Sequence, residues 1–240
     1  MRSPNDYSEE WFDIFLDTYP EAYTQAEIAF IEHFLPQATY SSILDICCGR
    51  GRHAFLLAER GYQVTGIDIN SDVIAQSQSL SGGNPRFLVH DMRQLDQLPD
   101  VYDAALNMWQ SYGYFDDITN KNILKSINQR LKLNGRFIID IYNRDFFADK
   151  IGENQFERAD TIITERKRFS EGRLIVELDY EDDRNADIFS WQVFTPDEFK
   201  ILADECGFET IVSCINANVD LTPSADYPRM QFVLEKKSSV

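Results

Sequence analysis

The sequence predicts an α/β fold in which a parallel sheet is followed by an antiparallel segment. As far as residue 143, short apolar runs alternate with stretches of helical periodicity, and this spacing is typical of βαβ units. The apolar runs are nearly continuous, which predicts a parallel sheet that is buried on both faces. After residue 143, apolar and polar residues alternate without intervening helices, which indicates antiparallel strands.

The elements are predicted in the following order. Residues 8–35 have helical periodicity, and Pro20 divides them into two helices. The strands of the parallel sheet are predicted at 42–48, 64–69, 86–91, 101–109 and 136–143, and its helices at 53–59, 71–79 and 117–131. A turn at 133–135 is predicted to close the last of these helices. The antiparallel strands are predicted at 161–169, 174–180 and 187–194, with a polar turn at 182–185. A last helix is predicted at 195–207, and two further strands at 208–215 and 230–236.

The composition is that of an ordinary globular domain. Of the 240 residues, 43% are hydrophobic and 26% are charged, which is enough apolar material for a full core. The formal net charge of −17 repels phosphate backbones and so disfavours a nucleic-acid substrate. We find no signal-peptide pattern and no apolar stretch long enough to span a bilayer. We therefore expect a cytoplasmic protein with no nucleic-acid partner and no membrane partner.

The cysteines and histidines do not have the spacing of a metal site. The four cysteines form no C-x-x-C pair, and the chain has three histidines. A cysteine–histidine zinc site is therefore not expected, and we expect no metal. Cysteines within or beside hydrophobic stretches are typical of small buried residues in a reducing cytosol.

A glycine-containing turn follows the first predicted strand. Gly49, Gly51 and Ala54 fit the G-x-G-x-x-G/A pattern of dinucleotide-binding turns. Asp68 lies nineteen residues after Gly49, where a ribose-binding acid is expected. Spacing alone therefore allows an NAD-dependent dehydrogenase.

Asp45, at the end of the first strand, favours a different cofactor. A carboxylate beside this turn would repel the pyrophosphate of a dinucleotide. The ammonium and sulfonium groups of S-adenosylmethionine would instead be attracted to it. In addition, no tyrosine of the chain has a lysine four residues later, the usual pair of short-chain reductases. A dehydrogenase is therefore the weakest alternative.

A third carboxylate follows the third strand. Because the carboxyl ends of parallel strands open on one crevice, Asp45, Asp68 and Asp91 should line the same cleft. Asp68 can accept hydrogen bonds from both ribose hydroxyls, and Asp91 can accept one from the adenine amino group. Met92 can pack on the purine ring. Solvated aspartates at three strand ends are the alternative, but the glycine turn favours a cofactor site.

Several motifs carry a resemblance to a known family. LDICCGRGRH (44–53) and VTGIDIN (64–70) match the first two motifs of class I S-adenosylmethionine-dependent methyltransferases, and the resemblance extends over nearly the whole chain. HDMRQL (90–95) and LNMWQSYGYF (106–115) resemble a subgroup that acts on small molecules, including amino-sugar and glycine-type N-methyltransferases. FTPDEFKILADECGFET (194–210) is similar to the family's last helix and sixth strand.

The resemblance implies a Rossmann-like, doubly wound, seven-stranded sheet of order 3-2-1-4-5-7-6 with strand seven antiparallel. We expect one methyltransferase domain over residues 1–240. Its parts are an N-terminal helical lid at 1–35, a cofactor-binding core at 40–143, an antiparallel β insertion at 150–194, and a last helix and strand pair at 195–240. The lid is rich in aromatic residues, so we expect it to close over the cofactor.

The resemblance also implies site residues. The implied cofactor-binding residues are Tyr23, Asp45, Cys47, Gly49, Arg50, Gly51, Asp68, Ile69, Asp91, Met92 and Asn107. Cys47 replaces the first glycine of the family's turn. Arg50 replaces the more usual threonine, and it is either a contact for the donor carboxylate or a solvent-facing charge. In the N-methyltransferases that the chain resembles, a tyrosine of the N-terminal helices touches the cofactor. Of Tyr7, Tyr19 and Tyr23, the best match by distance is Tyr23, which lies 22 residues before Asp45. It either touches the cofactor or packs between the lid helices.

The expected function is methyl transfer from S-adenosylmethionine to a small-molecule acceptor, by in-line displacement at nitrogen or oxygen. Tyr114, after the fourth strand, is the candidate catalytic residue that positions the acceptor, while His53 is either a base or a structural histidine. An RNA or protein methyltransferase and a cofactor-binding protein without catalysis remain alternatives. The insertion offers strand edges, so a homodimer is compatible with the sequence.

Overall fold

The computed structural model describes residues 4–16, 18–181 and 187–237. Its strands are β1 (Ser42–Ile46), β2 (Gln63–Asp68), β3 (Arg86–Val89), β4 (Tyr102–Asn107), β5 (Leu131–Tyr142), β6 (Gly152–Arg158), β7 (Thr161–Ser170), β8 (Arg173–Tyr180), β9 (Asp187–Gln192), β10 (Phe208–Cys214) and β11 (Arg229–Lys236). Its helices are α1 (Glu9–Trp11), continued by a π-helix over Phe12–Leu16, α2 (Glu21–Phe34), α3 (Arg52–Glu59), α4 (Ser71–Leu80), α5 (Asp117–Arg130), α6 (Arg144–Phe147) and α7 (Pro196–Glu205), with a 3-10 helix over Met92–Gln97.

Seven strands form the main sheet in the order β10-β11-β5-β4-β1-β2-β3. Strands β1 to β5 pair in parallel, whereas β11 is antiparallel to both of its neighbours, β5 and β10. Along the chain, β10 and β11 are the sixth and seventh strands of this sheet. The expected order 3-2-1-4-5-7-6 with an antiparallel seventh strand is therefore confirmed.

Both faces of the main sheet are covered by helices. Successive residues of β1 point to opposite faces, so Leu44 packs in the same apolar cluster as Ile123 of α5. Ile43 packs in a second cluster with Ile31 of α2. All four side chains are almost completely buried. The nearly continuous apolar character of the strands therefore has the expected cause, which is burial on both sides.

The structure differs from the sequence prediction in the length of β5. The predicted turn at 133–135 lies inside this strand, which begins at Leu131 rather than at residue 136. Asn134 has a left-handed backbone (φ 61°), and the pairing of β5 with β4 shifts register between Tyr102 and Ala104. Residues 133–135, which were predicted to form a turn before the strand, therefore form an irregularity within β5.

A second, antiparallel sheet has the order β6-β7-β8-β9. Three of its strands were predicted, and β6 was missed. The polar turn predicted at 182–185 lies outside the described residues. The apolar face of this sheet, which includes Leu174 and Phe189, packs with Ile14 of the N-terminal π-helix.

The N-terminal segment is divided at Pro20, as predicted, because Pro20 caps the start of α2. Residues 4–16, before this break, are tied to β9. The backbone N–H of Asn5 donates to the carbonyl of Ile188 (2.9 Å), and the hydroxyl of Ser8 donates to Asp187 (2.6 Å). We call residues 4–16 together with strands β6 to β9 the cover.

Candidate active site

A cavity of about 540 Å³ lies between the carboxyl ends of β1 to β4 and the N-terminal part of the cover. A cavity of this volume accommodates a small organic ligand. The predicted site residues that line it are Asp45, Cys47, Gly49, Asp68, Ile69, Asp91, Met92 and Tyr114. The structure thus brings together side chains from four strand ends, as expected for a parallel sheet.

The turn between β1 and α3 has three residues with left-handed backbone: Cys47 (φ 58°), Gly49 (φ 53°) and Gly51 (φ 80°). Gly51 does not line the cavity. A Cβ atom there would come within 2.7 Å of the Phe87 ring, so Gly51 is required for packing against β3. Cys47 adopts the left-handed conformation with a side chain, which costs free energy, and its Sγ lies 3.6 Å from the Met92 sulfur.

Asp68 joins this turn to the end of β2. Its Oδ2 accepts a hydrogen bond from the backbone N–H of Gly49 (3.0 Å), and its Oδ1 accepts one from the N–H of Asn70 (2.9 Å). Burial raises the pKa of Asp68, although these two hydrogen bonds oppose the shift. The carboxylate is therefore held in place by the backbone while it faces the cavity.

Asp45 is more deeply buried, with 2% of its surface exposed. Burial raises its pKa to about 7, against the charge of Arg52 and with a smaller contribution from Asp68. Among the residues that the structure describes, none forms a hydrogen bond with its Oδ2. A buried carboxylate oxygen without a partner is costly, and a cationic group in the cavity would relieve that cost. The ammonium of S-adenosylmethionine fits this requirement.

Asp91 begins the 3-10 helix and lies beside Met92 at the cavity wall. Its carboxylate accepts hydrogen bonds from the Arg93 Nε at 3.0 and 2.9 Å, and this contact lowers the pKa of Asp91. The guanidinium of Arg93 lies over the Phe115 ring (4.7 Å). The predicted adenine contact of Asp91 would therefore be made by a carboxylate that already has a cationic partner.

Four predicted cofactor residues do not line the cavity: Tyr23, Arg50, Gly51 and Asn107. Tyr23 is 59% exposed on α2, so its side chain points to solvent. Arg50 pairs with Asp13 (3.2 Å). Asn107 is buried and donates its Nδ2–H to the Ile46 carbonyl (3.0 Å).

Arg52 is a cavity residue that the sequence analysis missed. It begins α3, two residues beyond Arg50, and its Nη1 donates to Glu27 (2.6 Å). The carboxylate of Glu27, on α2, also accepts hydrogen bonds from His53 Nε2 (3.0 Å) and Trp109 Nε1 (3.3 Å). Burial acts to raise the pKa of Glu27, but the contacts with His53 and Arg52 outweigh it and lower the pKa to about 2. This ionised carboxylate holds three cavity residues.

The state of His53 follows from this contact. Burial is the largest of the effects that lower its pKa, so the imidazole is neutral at pH 7. Because Glu27 is ionised, Nε2 must carry the proton and donate it to the carboxylate. This contact accounts for Nε2 and leaves a lone pair on Nδ1, so it is compatible with both roles considered for His53.

Tyr7, and not the preferred Tyr23, is the N-terminal tyrosine that lines the cavity. Its hydroxyl shares a hydrogen bond with the hydroxyl of Tyr114, and both tyrosines line the cavity. Burial raises the pKa of Tyr7 and of Tyr114 well above the ordinary value. Both hydroxyls are therefore neutral near pH 7. They can donate and accept hydrogen bonds there.

Two further findings concern the part of the chain that the structure describes. Within residues 4–16, 18–181 and 187–237, no group of three or more histidine, cysteine, aspartate or glutamate residues could hold a metal ion. No helix in these same ranges is both long and apolar enough to cross a membrane.

Comparison with known proteins agrees with this geometry. Residues 43–135 match the family described as "Methyltransferase domain". The chain is 26% identical over 227 residues to YqeM, a methyltransferase-family protein of Bacillus subtilis (strain 168), and the alignment covers 88% of this chain and 90% of that protein. It is 22% identical over 228 residues to the glycine/sarcosine N-methyltransferase of Aphanothece halophytica, with 89% and 85% covered.

The fold is also that of a solved methyltransferase. A crystal structure of an S-adenosylmethionine-dependent methyltransferase from Clostridium acetobutylicum ATCC 824 superposes with a TM-score of 0.79 at 14% identity, covering 98% of this chain and 99% of the other. The domain match over residues 43–135, the relatives and the shared fold together support a class I S-adenosylmethionine-dependent methyltransferase.

Proposed function

We propose that this methyltransferase transfers a methyl group to an amine nitrogen of a small molecule that enters the cavity beside Tyr7 and Tyr114. The observation that carries the proposal is the neutral hydroxyl pair in a cavity of about 540 Å³. Such a volume suits a cofactor together with a compact acceptor and not a folded macromolecule.

The residues that would hold S-adenosylmethionine lie along one side of the cavity. Asp45 would pair with its ammonium, Asp68 would accept hydrogen bonds from the ribose, and Met92 would pack on the adenine. Ile69 lies next to Asp68, and 64% of its surface is exposed, which leaves it free to contact the ribose or the ring. When bound, S-adenosylmethionine supplies a methyl group on a positively charged sulfur.

The acceptor would bind on the opposite side, where the cover meets the loop after β4. Trp11 of the cover lines the cavity with Tyr7, while Phe12 lies against the guanidinium of Arg50 (5.1 Å) in the turn after β1. Aromatic walls exclude water and contact apolar or cationic groups. The two hydroxyls can orient an acceptor atom by hydrogen bonds. Alignment of the acceptor with the methyl group is the main contribution that a protein makes to such a transfer.

Nitrogen is favoured over oxygen because the hydroxyl pair is a poor base. A tyrosine with a raised pKa stays protonated at neutral pH, so it cannot remove a proton from an alcohol. An unprotonated amine attacks through its own lone pair and needs no base. The similarity to a glycine/sarcosine N-methyltransferase supports the same choice.

The test is a screen of matched amine and alcohol acceptors. The pairs are glycine and glycolate, benzylamine and benzyl alcohol, and glucosamine and glucose, with release of S-adenosylhomocysteine as the measurement. We expect turnover with at least one amine and none with its alcohol partner. Turnover with the alcohols alone would overturn the nitrogen assignment. As a control for the cofactor, S-adenosylhomocysteine should raise the melting temperature and NAD should not.

A further inference from the structure

We infer that Arg173, on β8, is a positioning residue that fixes the loop Gly113–Phe115 and thereby aims the Tyr114 hydroxyl into the cavity. Arg173 is not among the residues that line the cavity, so it would act through Tyr114. The inference rests on the proposed role of Tyr114 in placing the acceptor.

The guanidinium of Arg173 donates to three successive backbone carbonyls of this loop. Nη2 donates to the carbonyls of Gly113 (2.8 Å) and Tyr114 (2.9 Å), and Nη1 donates to that of Phe115 (2.6 Å). Three carbonyl oxygens that converge on one point repel one another. A delocalised cation with several donors offsets this repulsion, and only an arginine side chain offers that arrangement.

The same guanidinium is fixed from the other side by β9. Its Nε donates to the hydroxyl of Ser190 (2.8 Å), and Nη2 donates to the Ser190 carbonyl (3.0 Å). Arg173 also lies opposite Gln192 in the β8–β9 register. The position of the guanidinium is therefore set by the second sheet, and the loop is held relative to that sheet.

The loop itself lies unusually close to β9. Gly113 has φ 102°, and a Cβ atom there would be 2.5 Å from the Gln192 carbonyl oxygen. The backbone N–H of Gln192 donates to the Gly113 carbonyl (2.7 Å). Asn120 binds both the N–H and the carbonyl of Phe115, at 3.2 and 2.7 Å. These contacts hold the two ends of the loop, while Arg173 is the side chain that binds the Tyr114 carbonyl between them.

A small displacement of this loop would have a large effect on transfer. The Tyr114 hydroxyl meets the Tyr7 hydroxyl of the cover, so both sides of the contact depend on the second sheet. A misplacement of about 1 Å at a reacting centre can lower a rate about a hundredfold. Arg173 therefore links the insertion, which is an addition to the main sheet, to the geometry of the reaction.

The experiment is a double-mutant cycle with R173K and Y114F. For each variant we measure the single-turnover rate of transfer to the fastest acceptor of the screen, whether amine or alcohol. The affinity for S-adenosylhomocysteine is measured separately. We expect R173K to slow transfer about tenfold or more, with cofactor affinity unchanged. R168K is the matched control, because Arg168 is an exposed arginine of the same sheet paired with Glu177 (2.6 Å). It should transfer at the wild-type rate.

The combined variant decides how Arg173 acts. If it works through Tyr114, R173K/Y114F should be no slower than Y114F alone to within about twofold. Effects that multiply would overturn the inference while leaving the proposed function intact. If Y114F transfers the methyl group at the wild-type rate, Tyr114 does not place the acceptor, and the inference about Arg173 is overturned as well. Should R173K fail to fold, S190A removes the hydroxyl that accepts from the Arg173 Nε. Because Ser190 also lines the cavity, S190A supports the inference if it slows transfer in the same non-additive way with cofactor affinity unchanged, and it overturns the inference otherwise.

Discussion

Asp45 is a carboxylic acid with almost no access to water, and one of its oxygens has no hydrogen-bond partner among the described residues of the chain. Its pKa rises from an ordinary value of 3.8 to about 7. Because the folded protein holds this proton more tightly than the unfolded chain does, stability should fall as the pH rises from about 4 to 7. Below that window both states are protonated, and above it both are ionised.

We expect Asp45→Asn to reduce this pH dependence. The variant should unfold at a higher temperature than the wild-type protein at pH 8 without cofactor, because no buried charge remains. Its affinity for S-adenosylhomocysteine should fall by about 1.5–3 kcal/mol, the contribution of a hydrogen bond to a charged group. In the wild type that affinity should increase from pH 6 to pH 8, as Asp45 ionises. Melting curves and titration calorimetry across this range provide the measurement.

Asp72→Asn is the control, since Asp72 is exposed in the first turn of α4. It should keep the pH dependence of both quantities. An affinity that is independent of pH in the wild-type protein, or that Asp45→Asn leaves unchanged, would contradict the pairing of Asp45 with the cofactor ammonium.

The candidate site was predictable where it depends on local sequence. Asp45, Asp68 and Asp91 end successive strands, and the topology alone brings them together. Arg50 and Arg52 could not be distinguished, because the direction of each side chain depends on left-handed residues in the turn. Tyr7 was considered but not preferred, because its place in the cavity depends on contacts with β9, far along the chain. Spacing from Asp45 had favoured Tyr23 instead.

At the scale of elements, the cover joins two parts of the chain that are distant in sequence. Besides the contacts of Asn5 and Ser8, Arg158 of β6 donates to the carbonyls of Ile14 and Phe15, both at 3.1 Å. Trp11 stacks with Phe15 (5.6 Å). The N-terminal residues of the predicted lid therefore pack on the second sheet, and closure over the cofactor stays a prediction.

Removing residues 1–16 should leave a folded protein, because α2 and its buried residues Ile28 and Ile31 remain. The truncated protein should lose most of its affinity for S-adenosylhomocysteine and all detectable transfer, since Tyr7, Trp11 and Phe12 no longer close the cavity. Calorimetry and single-turnover assays test this. In the full chain, limited proteolysis should cut this segment more slowly when S-adenosylhomocysteine is bound.

Arg158→Ala offers a graded comparison, because it loosens the cover without altering a residue that lines the cavity. This variant should speed proteolysis of the N-terminal segment. It should lower the affinity for S-adenosylhomocysteine by less than the truncation does. A truncated protein that still methylates its acceptor would show that residues 1–16 serve only to stabilise the fold.

The strands and helices of the main sheet were predictable because their apolar periodicity is strong. β6 was not, because its sequence GENQFER is polar and most of its side chains are exposed. An edge strand of this kind is defined by its hydrogen bonds to β7, and local sequence carries little trace of them. The last helix was clear from its start, where Thr195 and Glu198 form a capping box around Pro196.

At the scale of the whole molecule, the charge of −17 sets which partners can approach. Many arginines and lysines are already paired with carboxylates, as in the ladder formed by Arg166 with Glu153 and Asp179. The field around the molecule therefore stays negative, and it repels polyanions.

We expect the protein not to bind RNA or DNA at moderate salt. Fluorescence anisotropy with a labelled single-stranded RNA provides the measurement, with a basic protein of similar size as the positive control. Tight binding that weakens steeply with salt would indicate a basic surface for nucleic acid. It would then favour a nucleic-acid acceptor over a small molecule.

The two backbone hydrogen bonds to Asp68 determine how much the site must reorganise when a ligand arrives. Each carboxylate oxygen has two lone pairs, and the amides of Gly49 and Asn70 occupy one apiece. A ribose hydroxyl can therefore bind to either oxygen without displacing an amide. Because the turn after β1 is already fastened to the end of β2, little binding energy is consumed in ordering these loops. The strand ends act as a preorganised receptor, and the entropic penalty of capturing a ligand is confined to the cover.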